Sequence, residues 1–216
     1  MGHDPVSVRR SLLLRAGVGV ALLGLAFLVD RAAFSVLRTG VLYDHSGEIR
    51  EGLTMAKFLG SGLGTLVVGL VVGLVDPQRW RRAAVLWMVV VAAGFSAAVL
   101  KTAAGRERPS HLDQPVGRER IAFHGPAVGL RRAPFQSFPS GHTAGAFASA
   151  TTLAAFYPPA RVVFFCVATA SGVNRIVKHQ HFLSDVVAGA LLGHLVALWL
   201  LSRQRVRRWW ADPGSR

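Results

Sequence analysis

The sequence predicts an all-α protein that crosses a membrane six times, in a single domain over residues 1–216. Three observations lead there. The chain is 51% hydrophobic and only 17% charged, where a soluble domain carries about 25% charged residues. Its charges avoid long stretches, with none in 60–75 or 83–100. Those stretches are apolar all round and lack the polar face that a helix on a soluble surface keeps. High hydrophobicity excludes disorder, and a lone cysteine, Cys166, excludes an intrachain disulfide.

A helix needs about 17–25 apolar residues to cross roughly 30 Å of hydrocarbon. Segments near 12–29, 53–75, 83–100, 142–159, 161–178 and 185–202 reach that length, the last three with flanking polar residues. The first has a basic start, as a signal peptide does. Its apolar stretch is long, however, and no clear small-x-small site precedes Asp30, so it reads as a retained span. The second extends back to Leu53 if Lys57 snorkels to the surface. It carries Gly60 with Gly64 and Gly69 with Gly73, a spacing that lets helix backbones approach closely inside the bundle. The sixth contains one polar ring, His194.

The formal net charge is +14. A nucleic-acid binder presents such charge on a soluble face, whereas here the cations bracket apolar spans, which excludes that class. Lys/Arg counts in short loops set orientation. With both ends inside, the raw totals on the two sides are nearly equal. The outer cations are diluted by Asp44, Glu48 and Glu51, and several sit in the clusters described next. Both termini are therefore expected on the cytoplasmic side.

About forty residues separate the third and fourth spans, 101–140, rich in Gly, Pro, Arg and His. Loops this long are usually functional or disordered. Residues 130–138, LRRAPFQSF, mix cations with aromatics and suit either a headgroup surface or a solvated linker. Three clusters flank the loop. In the first, Lys101 and Arg108-Pro109 stand two helical turns apart, so both cations share a face while the helix lasts, and Pro109 makes continuation unfavourable. Alone such a pair is more often a set of snorkelling anchors than ligands for a substrate. In the second, Pro139-Ser140-Gly141-His142 opens the fourth span. Ser140 is suited to cap that helix, and its amide donors and dipole form an anion site unless the cap is all there is. Gly141 allows close approach and His142 sets a proton donor beside it. In the third, His181 and Asp185 stand four apart and share a face if helical, so the carboxylate can fix the imidazole tautomer. His179 and His181 with Asp185 also have the makings of a metal site, but no further carboxylate cluster supports it.

Together the clusters resemble the tripartite signature of the type-2 phosphatidic acid phosphatase (PAP2) superfamily, which also includes vanadium haloperoxidases. That signature reads Lys-x6-Arg-Pro, then Pro-Ser-Gly-His, then Ser-Arg-x5-His-x3-Asp. Lys101, Arg108 and Pro109 match the first part, Pro139 to His142 the second, and Arg175, His181 and Asp185 the third. Asn174 departs from the usual serine but is also small and hydrogen-bonding.

The resemblance implies a phosphatase that works through a phosphohistidine. His181 would be the nucleophile, Asp185 its partner and His142 the acid and then the base. Lys101, Arg108, Ser140, Gly141 and Arg175 would hold the phosphoryl oxygens, with no metal or other cofactor. A lipid phosphate at the outer membrane face is the implied substrate: undecaprenyl diphosphate, phosphatidylglycerophosphate or phosphatidic acid first, lipid A phosphate behind. Haloperoxidase members are soluble, against these spans. A non-enzymatic scaffold or transporter subunit is the competing class, and oligomeric state is left open.

Overall fold

The computed structural model describes residues 5–38, 47–76, 79–111, 123–130 and 133–211. They form helices α1 (Pro5–Arg38), α2 (Gly47–Leu59), α3 (Gly62–Val75), α4 (Arg79–Ala104), α5 (Gly141–Phe156), α6 (Arg161–Val177), α7 (Leu183–Ser202) and α8 (Gln204–Trp210). Short helical turns at Pro109–His111, Pro126–Gly129 and Ala133–Phe135 lie between α4 and α5.

The all-helical class is as expected, and the helices keep an inside-out pattern. Along α4, Val85, Leu86, Val89, Ala93 and Ala97 are buried at helical spacing while Val91, Phe95 and Val99 face outward. Large apolar residues on both faces suit a helix with protein on one side and lipid on the other. Four helices are long and apolar enough to cross a membrane, and α2 with α3 makes a fifth if that bent pair is one span. This is an integral membrane protein.

Two of the six expected spans take a different form. The segment 53–75 is not one straight helix: α2 and α3 meet at a 69° bend. Hydropathy runs smoothly across the break, so only Gly60-Ser61 marks it. Ser61 caps α3, its hydroxyl accepting from Gly64 N at 3.1 Å. Gly60 presses on the start of α5, where a Cβ would lie 2.6 Å from His142 O. Gly69 and Gly73 pack on Trp87 and Trp80 of α4, so these glycines serve contacts inside the bundle.

The segment expected at 142–159 stops at Phe156, before Tyr157-Pro158, because proline disfavours helix at the residue ahead of it. At 16 residues, about 24 Å, α5 falls short of the hydrocarbon thickness. It is the central post, with most of its residues buried, packed against α7, α6 and α4. A Cβ at Gly193 of α7 would overlap the Ala144 carbonyl, so the two backbones touch only because that position is bare.

Both ends of the bundle are polar. At one, Arg82 donates to Asp76 Oδ2 at 2.7 Å and the Tyr157 hydroxyl donates to the same oxygen at 2.6 Å. At the other, the ends of α4 and α6 meet the starts of α5 and α7, and all three motif clusters gather there.

Candidate active site

Lys101 lies in the last turn of α4, but the helix ends at Ala104 and Arg108 is outside it. The shared helical face expected for this pair does not form. Gly105, at φ +58°, turns the chain instead, and a Cβ there would overlap Gly125 O. Arg106 pairs with Phe123 in an isolated bridge, and Arg108 then reaches Gln180 Oε1 with a 2.7 Å hydrogen bond. Lys101 Nζ donates to Gln136 O at 3.0 Å. Part of 130–138 is thus built into the site, with Ser137 fully buried. Arg131 and Arg132 of that segment lie outside the described residues.

Ser140 holds the N-cap position of α5, yet its side chain caps no amide; its Oγ accepts from Thr143 Oγ1 at 2.8 Å. First-turn amides have no partner within their own helix, so the start of α5 keeps its donors for other acceptors. Ser140 N donates to Asp185 O at 2.9 Å and locks α5 to α7. A Cβ at Gly141 would lie 3.6 Å from Lys101 Cε, an ordinary distance, so packing among protein atoms does not demand glycine there.

His181 and Asp185 do not share a helix turn as expected. The chain leaves α6 through His179, at φ +53°, and His181 precedes α7, in whose first turn Asp185 sits. The residues still meet: His181 Nδ1 is 3.6 Å from Asp185 Oδ2, long for a hydrogen bond. Oδ2 accepts instead from Ser137 Oγ at 2.6 Å and Phe182 N at 2.8 Å. Asp185 Oδ1 accepts from Arg106, a buried cation that sequence reasoning passed over, as it did Asp30, Ser137 and Ser184. An ionisable residue inside an apolar run, as Asp30 is, was the available signal.

A cavity of about 790 Å³ opens on this end of the bundle, lined by His142 and Arg175 together with Lys57, Lys178, His179 and Gln180 among others. Lys101, Arg108, Ser140, His181 and Asp185 are not in its lining and form the layer beside it. His142 feels Arg175, Lys57, His181 and Lys101. Nε of Arg108 and Nε of Arg175 are buried without hydrogen-bond partners. Buried donors cost free energy when unpaired, so this end of the molecule is complementary to an anion it does not itself supply. Among the described residues no three His, Cys, Asp or Glu side chains are placed to hold a metal ion.

Burial holds the pKa of His181 well below the ordinary value, at about 4; Lys101 and Arg175 push the same way and Asp185 opposes them. At neutral pH the ring is an uncharged base. Unfolding returns it to about 6.5, so between pH 6.5 and 4 the unfolded chain binds more protons and stability falls as pH falls. His181 contributes a loss of about 3 kcal/mol once both forms are protonated. Unfolding midpoints in detergent are expected to drop through that window, and less steeply in His181→Gln.

The model of the PAP2 superfamily matches residues 82–209. The chain is 39% identical over 112 residues to a lipid A 1-phosphatase of Rhizobium etli, a stretch covering 51% of this chain and 45% of that protein. It spans less than half the length of the curated relatives it matches first. Among solved structures, a transmembrane PAP2-type phosphatidylglycerolphosphate phosphatase from Bacillus subtilis superposes with a TM-score of 0.56 at 20% identity, over 92% of this chain and 94% of that one. LpxE from Aquifex aeolicus superposes with a TM-score of 0.57 at 23% identity, over 79% and 93%. Both show the same fold. With all three motif clusters inside the matched region and at one end of the bundle, the chain belongs to the PAP2 superfamily.

Proposed function

We propose that this protein hydrolyses a lipid phosphate or lipid diphosphate at the outer face of the cytoplasmic membrane, through a phosphohistidine at His181 and without a metal. The observation that carries the reading is the convergence of Lys101, Arg108, Arg175 and the start of α5 around a buried, uncharged His181. Asp185 faces Nδ1, which leaves Nε2 to attack phosphorus. The bond from the terminal phosphorus to the departing oxygen, of the lipid alcohol or of the lipid monophosphate, breaks as the P–N bond forms, and His142, entering as the imidazolium, protonates that oxygen. Neutral His142 then takes a proton from water, whose oxygen attacks phosphorus as the P–N bond breaks, releasing inorganic phosphate and restoring His181.

The three cations spread their charge over the equatorial oxygens, the work a divalent cation does elsewhere. Two carboxylates stand at this end: Asp185 is already taken by Arg106, Ser137 and Phe182 N, and Glu51 lines the cavity beside Lys57 and Arg175. We place six crossings in the bilayer, counting the bent α2–α3 pair and the short α5, with both termini cytoplasmic and the site outward. The lipid head enters the cavity and its tail stays between helices.

The relatives are named for lipid A and for phosphatidylglycerolphosphate, and the shared residues recognise phosphate rather than the rest of the lipid. The test is phosphate release by detergent-purified protein from undecaprenyl diphosphate, phosphatidylglycerophosphate, phosphatidic acid and lipid A, with EDTA present. Release from at least one is expected, with an acid-labile phosphoprotein trapped on rapid quenching. Complete loss of release in EDTA overturns the metal-free route, and failure on every lipid overturns the activity.

A further inference from the structure

Helix α1 carries one carboxylate, Asp30, and it is fully buried. A lone ionised carboxylate there is costly unless paired. Its partner is Arg106, also fully buried, whose Nη2 donates to Asp30 Oδ2 at 2.8 Å. The Nη1 of the same guanidinium donates to Ser184 Oγ at 2.7 Å and to Asp185 Oδ1. Asp30 also grips the first turn of α7 directly: Ser184 N donates to its Oδ1 at 2.8 Å, and the Ser184 hydroxyl donates to its Oδ2. The ring centroids of Phe182, Phe123 and Phe27 lie 4.4, 5.1 and 5.4 Å from the guanidinium carbon, and Nε is buried without a hydrogen-bond partner.

We propose that Asp30 is a positioning residue for His181: by holding Arg106 and the first turn of α7, it orients Asp185 and balances the positive charge behind it. The inference rests on His181 being the phosphoryl acceptor. Arg106 fixes Asp185 Oδ1, so Oδ2 is the oxygen turned to the His181 ring. With Asp30 in place, Arg106 divides its charge between two carboxylates. Without it, the whole charge bears on Asp185, whose support for a positive imidazole weakens. Attack by His181 puts positive charge on that ring. Anchorage alone does not call for this arrangement, because buried ion pairs are often no more stabilising than apolar residues of equal volume. Asp30 also lies outside residues 82–209, so a helix beyond the matched region completes the site.

The experiment measures kcat, KM, their pH profiles and the unfolding midpoint on short-chain phosphatidic acid for Asp30→Asn, Arg106→Gln, the double variant and His181→Asn. Asp30→Asn is expected to lower kcat about 10–100-fold, the usual cost of losing such an outer partner, with KM within about twofold of the native value. The charged and titrating groups facing His181 are Asp185, Lys101, Arg175 and His142, with Arg106 behind Asp185. All but the Asp30–Arg106 balance stay constant, so the acid limb of kcat/KM moves to lower pH. Adding Arg106→Gln brings little further loss, since Asp30 acts through Arg106.

A folded Asp30→Asn with native kcat and an unmoved limb overturns the proposal, and so do losses that multiply in the double variant. If Asp30→Asn does not fold, the double variant carries the test. It removes the buried charge of Arg106 together with that of Asp30, and native kcat in the folded double variant overturns the proposal equally. An inactive His181→Asn beside a native-like Asp30→Asn removes the positioning role alone. Turnover in His181→Asn removes the nucleophile reading beneath it.

Discussion

Replacing His181 with asparagine is expected to stop phosphate release, with kcat lowered by about 10⁴-fold or more and lipid binding nearly unchanged. Asparagine keeps a polar side chain of similar reach beside Asp185 but has no nitrogen lone pair to offer phosphorus. The cations proposed to bind the head group belong to other elements: Lys101 to α4, Arg175 to α6 and Arg108 to the segment after α4. Affinity for inorganic phosphate, read by calorimetry or competition, therefore stays close to native. The trapped phosphoprotein disappears as well, which separates loss of the nucleophile from loss of a general acid. His142→Asn gives the contrasting result on a substrate with a good leaving group: phosphoenzyme still forms and then persists. A phosphoprotein in His181→Asn would assign the acceptor to another residue.

Much of this site is legible in one sequence because its chemistry is written at fixed short spacings. Lys101 to Arg108, Pro139 to His142, and Arg175 to Asp185 each survive as a local pattern. The local pattern does not hold the route by which each pair meets. The geometry for Lys101 with Arg108 and for His181 with Asp185 assumed continuous helix, and chain turns at Gly105 and His179 do the work instead. The bend at Gly60 escaped because hydropathy is blind to direction. The shortness of α5 escaped because alanine, glycine and threonine score as apolar whether they face lipid or other helices. The meeting of Asp30 with Arg106 was out of reach for a different reason. They meet across 76 residues, and Asp30 meets Ser184 across 154. Nothing within either neighbourhood specifies the other.

The second large effect is expected at Arg175, the half-way charge between the cavity and the buried histidine. Arg175→Gln is expected to cut kcat by about 10²–10³, the cost of one preorganised donor to a developing anion, or roughly 3–4 kcal/mol. Lysine is expected to recover only part of that, since a point charge does not reproduce a planar fork. The side chain is 7% exposed and its Nε has no partner in the protein. Its neighbours include Arg108 and Lys57, all of one sign. Folding gains little from such a cluster, because like charges oppose one another, and on the proposed function a phosphoryl group would offset them. Glutamine keeps most of the volume and removes the repulsion, so the unfolding midpoint without substrate is expected to stay level or rise while turnover collapses. That opposition of stability and activity marks a residue placed for a ligand rather than for the fold. Added phosphate sharpens the contrast: it is expected to raise the midpoint of the native protein more than that of Arg175→Gln. Equal stabilisation by phosphate in the two proteins would mean that Arg175 does not touch the anion.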